Sequence, residues 1–254
     1  MIVYGINTVL EALKAGRVRR LRVGSRSDKR IEEILALAAA QRVPVERDEA
    51  QALDRAARGG AHQGVVAEIE AVQDFSVEEL ARDSRVAGTV GASHPGSQPL
   101  IVVLDGIEDP HNVGAILRTC DAAGVTGVIR QSRHAAALDG VVGKASAGAL
   151  ARARIATVVN IARAVDELKA ANVWTIGLAG DAGEAYTDVD WTLPSALVLG
   201  AEGTGLRRLV RETCDRVVRI PMLGAVDSLN VSVAAGVVLY EAVRQRGGRD
   251  NGEG

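Results

Sequence analysis

From Leu100 to Ile220 the chain alternates short aliphatic runs with amphipathic segments, and no other feature constrains the fold as tightly. Leu100–Leu104, Thr126–Arg130, Arg154–Val159, Val173–Leu178, Ala196–Leu199 and Val217–Ile220 are largely apolar, as strands covered on both faces must be. Between them, helical periodicity appears over Val113–Ala123, around Val142–Ala149, and over Ile161–Ala171 and Leu206–Thr213. The pattern predicts an α/β fold: a mostly parallel sheet with helices on both sides. Ligands of such sheets bind beyond the carboxyl ends of the strands. Three of these ends run into turns of small, polar and acidic residues, after Leu104, Leu199 and Ile220.

The last of these turns opens the most apolar helix of the chain. Pro221 and Gly224 stop the strand, Ser228 and Asn230 bracket an N-cap position, and nearly every residue from Leu229 to Val243 is small or aliphatic. A helix apolar around most of its circumference belongs in a core or a subunit interface. Ser228 and Asn230 are either caps alone or caps that also face a ligand. The turn after Leu104 offers Asp105, Glu108, Asp109 and His111, with Asn112 as the expected N-cap of a helix starting near Val113. Arg118 falls within the apolar run of that helix, and a guanidinium buried there would need a partner. After Leu199, Glu202 stands among Gly200, Gly203 and Gly205, which let a backbone or ligand approach closely.

Residues 1–72 read as a smaller α/β unit. Helices are expected over Asn7–Ala15, Asp28–Gln41 and Glu49–Arg58, and strands at Leu21–Val23, Val43–Glu46 and Gly64–Ile69. Across residues 14–30, eight cations face the single acid Asp28, in a chain whose formal net charge is -2. Arg17, Arg19, Arg20, Arg22 and Arg26 are therefore candidate RNA phosphate contacts, the alternative being a solvated face. Residues 73–99 end in a Gly, Ser and Pro-rich linker that contains His94, and the tail 247–254 is expected to be disordered.

Several classes of function are disfavoured. Gly200, Gly203 and Gly205 form GxxGxG rather than the dinucleotide GxGxxG, and no GKS/T of a P-loop occurs. Cys120 and Cys214 have no CxxC partner and read as reduced core thiols; a dedicated metal site is not expected. No run is apolar enough for a membrane helix and the N-terminus lacks a secretory pattern, so a cytoplasmic protein is expected. Two Trp, three Tyr and one Phe are too few for a base-stacking surface.

Taken together, LDGIEDPHNVGAILRTCDAAG, LVLGAEGTGL and IPMLGAVDSLNVSVAAGVVLYEA resemble, in order, the three motifs of the SpoU (TrmH-like) RNA ribose 2′-O-methyltransferases of the SPOUT superfamily. VYGINTVLEAL and AHQGVVAEI resemble the small substrate-binding domain of members that act on large-subunit ribosomal RNA. The resemblance implies an L30e-like domain over 1–72 and a SPOUT domain with a deep trefoil knot over 100–246. It also implies S-adenosylmethionine as methyl donor, ribosomal RNA as partner, and a homodimer packed through the C-terminal domain.

Carried over by motif, Asn112, Arg118, Glu202, Ser228 and Asn230 take catalytic positions, while Gly200, Ile220, Met222 and Leu229 take donor-binding ones; Leu178, at the end of its strand, falls near another donor-binding position. Leu178 departs from the threonine common there. A transfer-RNA enzyme, an antibiotic-resistance methyltransferase on ribosomal RNA and a non-catalytic ribosome-assembly protein remain the alternatives.

Overall fold

A computed structural model describes residues 1–25, 28–70, 74–82 and 98–247. The smaller unit comprises β1 (Ile2–Tyr4), α1 (Ile6–Lys14), β2 (Val18–Val23), α2 (Lys29–Ala40), β3 (Val45–Arg47), α3 (Ala50–Ala56) and β4 (Val65–Ile69). Its sheet runs in the order β1-β4-β2-β3, with β4 antiparallel to both neighbours and β2 parallel to β3. Strand β1 was not anticipated; only three residues long, it carries too little alternation to be seen. Asp28 caps α2, accepting from the N–H groups of Arg30 and Ile31.

After α4 (Val77–Arg82), the larger unit follows as β5 (Leu100–Asp105), α5 (Pro110–Ala122), β6 (Gly127–Gln131), α6 (Gly140–Ala145), β7 (Ile155–Val158), α7 (Ile161–Ala170), β8 (Trp174–Leu178), β9 (Glu184–Ala185), β10 (Ser195–Gly200), α8 (Arg208–Thr213), β11 (Arg216–Arg219) and α9 (Val231–Gly247). All pairings in its seven-stranded sheet, ordered β7-β6-β5-β10-β8-β11-β9, are parallel. Strands β5 to β7 build outward in one direction; the chain then crosses back to β8, and β10 fills the place between β5 and β8. That reversal is the position where an open parallel sheet leaves a crevice.

Alternate residues of the central strands feed two cores, as the strand period demands. Val102, Leu104, Val128, Leu197 and Leu199 pack under α5 and α9, while Ile101, Val103, Ile129, Ala196 and Val198 pack under α4 and α7. Asn112 is not the N-cap expected of α5. Asp109 is, accepting from the His111 N–H, because Pro110 starts the helix three residues early and puts Asn112 in its first turn.

The two units touch directly. Arg152, just after a 3₁₀ turn at Ala149–Ala151, donates from Nε and Nη2 to Asp121 of α5 and from Nη1 to Glu11 of α1. Arg17 donates to the Ala151 carbonyl at 2.6 Å. At Gly140 a β-carbon would meet the Tyr4 ring at 2.2 Å, so the start of α6 is read against β1 at backbone range. Most of the expected linker, including His94, and the tail from 248 lie outside the described residues.

Candidate active site

A cleft of about 850 Å³ opens at the carboxyl ends of β8, β10 and β11. Leu178, Gly200, Ile220, Met222 and Leu229 line it, as do Glu202, Ser228 and Asn230. Eight of the ten candidate catalytic and donor-binding residues therefore meet in one place.

The turn after β10 is shaped by contact between backbones. A β-carbon on Gly200 would lie 2.1 Å from the Gly205 carbonyl carbon and 2.2 Å from the Leu206 nitrogen, so no other residue fits. Gly203 and Gly205 adopt φ of 77° and 67°, in the left-handed region. The turn is pinned from outside by Asp105, which is 1% exposed at the end of β5 and accepts from the Arg207 backbone N–H at 2.9 Å and its Nε at 2.6 Å. Asp105 thus serves the shape of the neighbouring turn. Among the described residues no group of acids, histidines or cysteines is arranged to hold a metal.

Asn230 is the hub. Its side-chain oxygen accepts from the backbone N–H of Ser232 and Val233 and from the Ser232 hydroxyl, so it caps α9. With the oxygen turned to the helix, the amide nitrogen must face away. It donates to Asn112 Oδ1 at 2.9 Å and to Glu202 Oε1 at 2.6 Å. Asn230 thus caps the helix and also stands on the wall of the cleft. Asn112, 6% exposed, enters the cluster through this bridge and does not itself line the cleft.

Arg118 departs from expectation. It is exposed, not buried in α5, and makes no hydrogen bond or ion pair among the described residues. Nor does it line the cleft of its own chain. The helix pattern misled because Leu117 and Cys120 flank it on the buried side while Arg118 itself falls on the outer arc.

Four cleft residues outside the three motif stretches were missed: Ala179, Gly180 and Asp181 after β8, and Arg211 in α8. Asp181 accepts from Arg211 at 2.8 Å, and that hydrogen bond holds its carboxyl below the usual range. The signal existed, since AGDAG after Leu178 is a fourth small-and-acidic turn at a strand end. Burial pushes the Cys214 thiol up to about 12, which keeps it protonated and unreactive.

The basic stretch behaves differently from its count. Arg19 pairs with Glu70, Arg20 with Glu46, and Arg22 with Asp48, while Arg17 is spent on the contact between units. Three of the charges gathered along residues 14–30 are thus met by acids from the segments beside β2. Arg26 lies outside the described residues.

α9 buries Val231, Ala234, Ala235, Val238, Leu239 and Ala242, yet leaves Val233 and Tyr240 each 52% exposed. Leu223 and Val226 in the preceding turn are exposed as well.

Comparison with known proteins agrees with this geometry. The SpoU rRNA Methylase family matches residues 99–240, and the RNA 2′-O ribose methyltransferase substrate-binding family matches residues 2–75. The 23S rRNA (guanosine-2′-O-)-methyltransferase RlmB of Pseudomonas putida is 44% identical over 250 residues, covering 96% of each chain. A putative TrmH family tRNA/rRNA methyltransferase of Bacillus subtilis is 38% identical over 246 residues, 96% of this chain and 95% of that one. Among solved structures, the SpoU methyltransferase AviRb of Streptomyces viridochromogenes in complex with the cofactor AdoMet superposes with a TM-score of 0.78 at 27% identity, covering 98% of this chain and 91% of that one.

Proposed function

Since the chain belongs to the SpoU rRNA methylase family, we propose that it transfers a methyl group from S-adenosylmethionine to the 2′-hydroxyl of a guanosine ribose in 23S ribosomal RNA. The observation that carries this reading is the Asn112–Asn230–Glu202 bridge at the mouth of the cleft, built from all three motifs.

The cleft suits the donor. Its volume is within the range of small-molecule sites, and its walls combine glycine backbone at 200, 203 and 205 with the apolar side chains of Leu178, Ile220, Met222 and Leu229. Those groups would hold the adenine and ribose by backbone polar groups and apolar contact. When bound, the donor supplies a methyl group on a positively charged sulfur. Asn230, clamped by Glu202 and Asn112, and Ser228 beside it would orient the attacking ribose; such positioning can supply roughly 7–11 kcal/mol of barrier reduction.

Arg118 is the remaining catalytic candidate. A guanidinium stays charged in proteins, so it would act by charge, on a phosphate and on the oxygen losing its proton, rather than as a base; as the O–CH3 bond forms and the S–CH3 bond breaks, the proton would leave through the arginine–phosphate contact or water. Because it does not line its own cleft, we assign it to the cleft of a second copy. A homodimer closed over α9 would cover Val233 and Tyr240 and bring α5 of one subunit toward the turns of the other.

Residues 1–72 are proposed as the RNA-binding domain, L30e-like in character, joined through residues 73–99 to the methyltransferase domain over 100–246. The insertion of β10 between β5 and β8, with α9 returning onto α5, supports the deep trefoil knot of the SPOUT superfamily. No helix among the described residues is long and apolar enough to cross a membrane. A ribosomal RNA substrate makes the cytoplasm the place of action.

Mapping ribose methylation in ribosomal and transfer RNA from a strain lacking the protein tests the substrate. Loss of one 2′-O-methylguanosine in 23S RNA is expected; loss confined to transfer RNA overturns the assignment. For the shared site, Arg118→Ala should be inactive alone and Asn230→Ala slowed on the order of 10²-fold, while co-expressed subunits should regain turnover in the clefts that combine both intact residues. No recovery in the mixed dimer would place Arg118 in its own chain's site.

A further inference from the structure

In one row of the sheet a charged side chain, Arg130, stands between Leu104 of β5 and Thr157 of β7. Leu178, Leu199, Leu104 and Arg130 stand side by side in a single row across β8, β10, β5 and β6. They point to the same face, the one covered by α5 and α9, because Arg130 shares the strand face of Val128. Leu178 and Leu199 line the cleft. Arg130 is thus two strands from Leu199, about 10 Å, on the same side of the sheet and at the same carboxyl edge.

Its surroundings do not account for it. Arg130 is 8% exposed, and its one hydrogen bond is from Nε to the Gln131 carbonyl at 3.3 Å. No carboxylate pairs with it among the described residues, and burial alone lowers its pKa, with no acid offsetting the cost. A guanidinium removed from water without a counter-charge is expensive. Its terminal nitrogens are not sealed: the single buried side-chain polar atom without a partner among the described residues is Gln131 Oε1, on the other face. The fold therefore holds a desolvated cation with open donors two strands, about 10 Å, from Leu199 of the candidate active site, outside the residues that line the cleft. An arginine in that condition suits a bidentate oxyanion.

We propose that Arg130 is a substrate-binding residue that takes a backbone phosphate of the RNA next to the ribose being methylated. The proposal rests on the methyltransferase reading and deepens it: the row Leu178–Leu199–Leu104–Arg130 runs from the donor end of the site to the RNA end. Apolar side chains hold the first, and a single buried charge holds the second. The carboxylate of the methyl donor is the other oxyanion within the same chemistry, and the test separates the two.

The experiment compares wild type, Arg130→Met and Arg130→Lys in three measurements: thermal unfolding, calorimetric titration with S-adenosylmethionine, and binding of in vitro transcribed 23S RNA across a series of salt concentrations. Arg130→Met should melt no lower than wild type, since an apolar side chain of similar length replaces an unpaired buried charge. It should bind the donor as wild type does, lose RNA affinity on the order of tenfold, and show a log–log salt slope smaller by about 0.7, the loss of one phosphate contact on a single strand. Arg130→Lys should keep the wild-type slope, because the charge remains.

An unchanged RNA affinity and slope in Arg130→Met overturns the proposal. So does weakened donor binding with RNA binding intact, which would give the guanidinium to the donor's carboxylate. If Arg130→Met does not fold, Arg130→Lys decides: a slope reduced along with the melting temperature marks a structural residue. Failure of the wild-type protein to bind the donor or the RNA would instead count against the methyltransferase reading itself.

Discussion

Asn230 and Glu202 are 28 residues apart and touch, whereas Arg19, Arg20 and Arg22 lie within four positions of one another and turn to three different acids. The first cluster is made by strand ends that a parallel sheet brings to one edge. The second is undone by the same process, since β3 and the residue after β4 bring Glu46, Asp48 and Glu70 alongside β2. Proximity along the chain says little about a charge's surroundings. The order of strands says much more.

The contrast breaks most visibly if the converging turns tolerate change. Gly200→Ala should abolish donor binding and cost about 1–3 kcal/mol or more in unfolding, because its β-carbon would enter the backbone at Gly205; calorimetric titration and denaturant melts read both. Asn230→Ala is next: turnover should fall on the order of 10²-fold through misplacement of Asn112 and Glu202. The lost cap should cost about 1 kcal/mol. Stability intact with activity lost would separate the bridge from the cap; both intact would dissolve the cluster.

Arg152→Ala tests the contact between the units. Two partners, Glu11 and Asp121, would be left without it, and the expected cost is about 1–3 kcal/mol. Burial alone would raise the Glu11 carboxyl, but hydrogen bonds and charge from Lys14 and Arg152 outweigh it and hold it below its ordinary value. A carboxyl so depressed adds stability above its unfolded pKa and loses it as the pH drops through the folded one. The gap between wild type and variant should therefore be full at neutral pH and close in acid below about 4. A gap that widens in acid would contradict the pairing. The smallest effect is expected from Arg19→Ala with Arg20→Ala: within about 0.5 kcal/mol in stability, since exposed pairs contribute little. Less than about a twofold change in RNA affinity would show that neutralised charges give up few counterions. A large loss would restore β2 as an RNA surface.

Much of this was legible in the residues. The parallel sheet followed from apolar runs that do not alternate, and the cleft from the rule that strand ends carry ligands. Eight of ten candidate residues reached it because glycine and short polar residues after a strand leave the backbone few alternatives. What could not be read depended on partners from elsewhere in the chain. Asp105 had no assigned role until Arg207 was seen to be held by it, and Arg118 looked buried until the face of α5 was known. Arg130 passed as a strand-end residue, since the row it belongs to exists only once β10 has entered between β5 and β8.

The double duty of Asn230 has a consequence for how this position can change over time. Aspartate would start α9 equally well, yet it would set a second negative charge against Glu202 and lose both donors. Serine or threonine would keep the helix and drop the bridge. Selection for a sturdier fold and selection for turnover therefore pull on the same amide, and neither can be relaxed without the other registering it. Attempts to harden this protein by consensus capping should leave that one helix start alone.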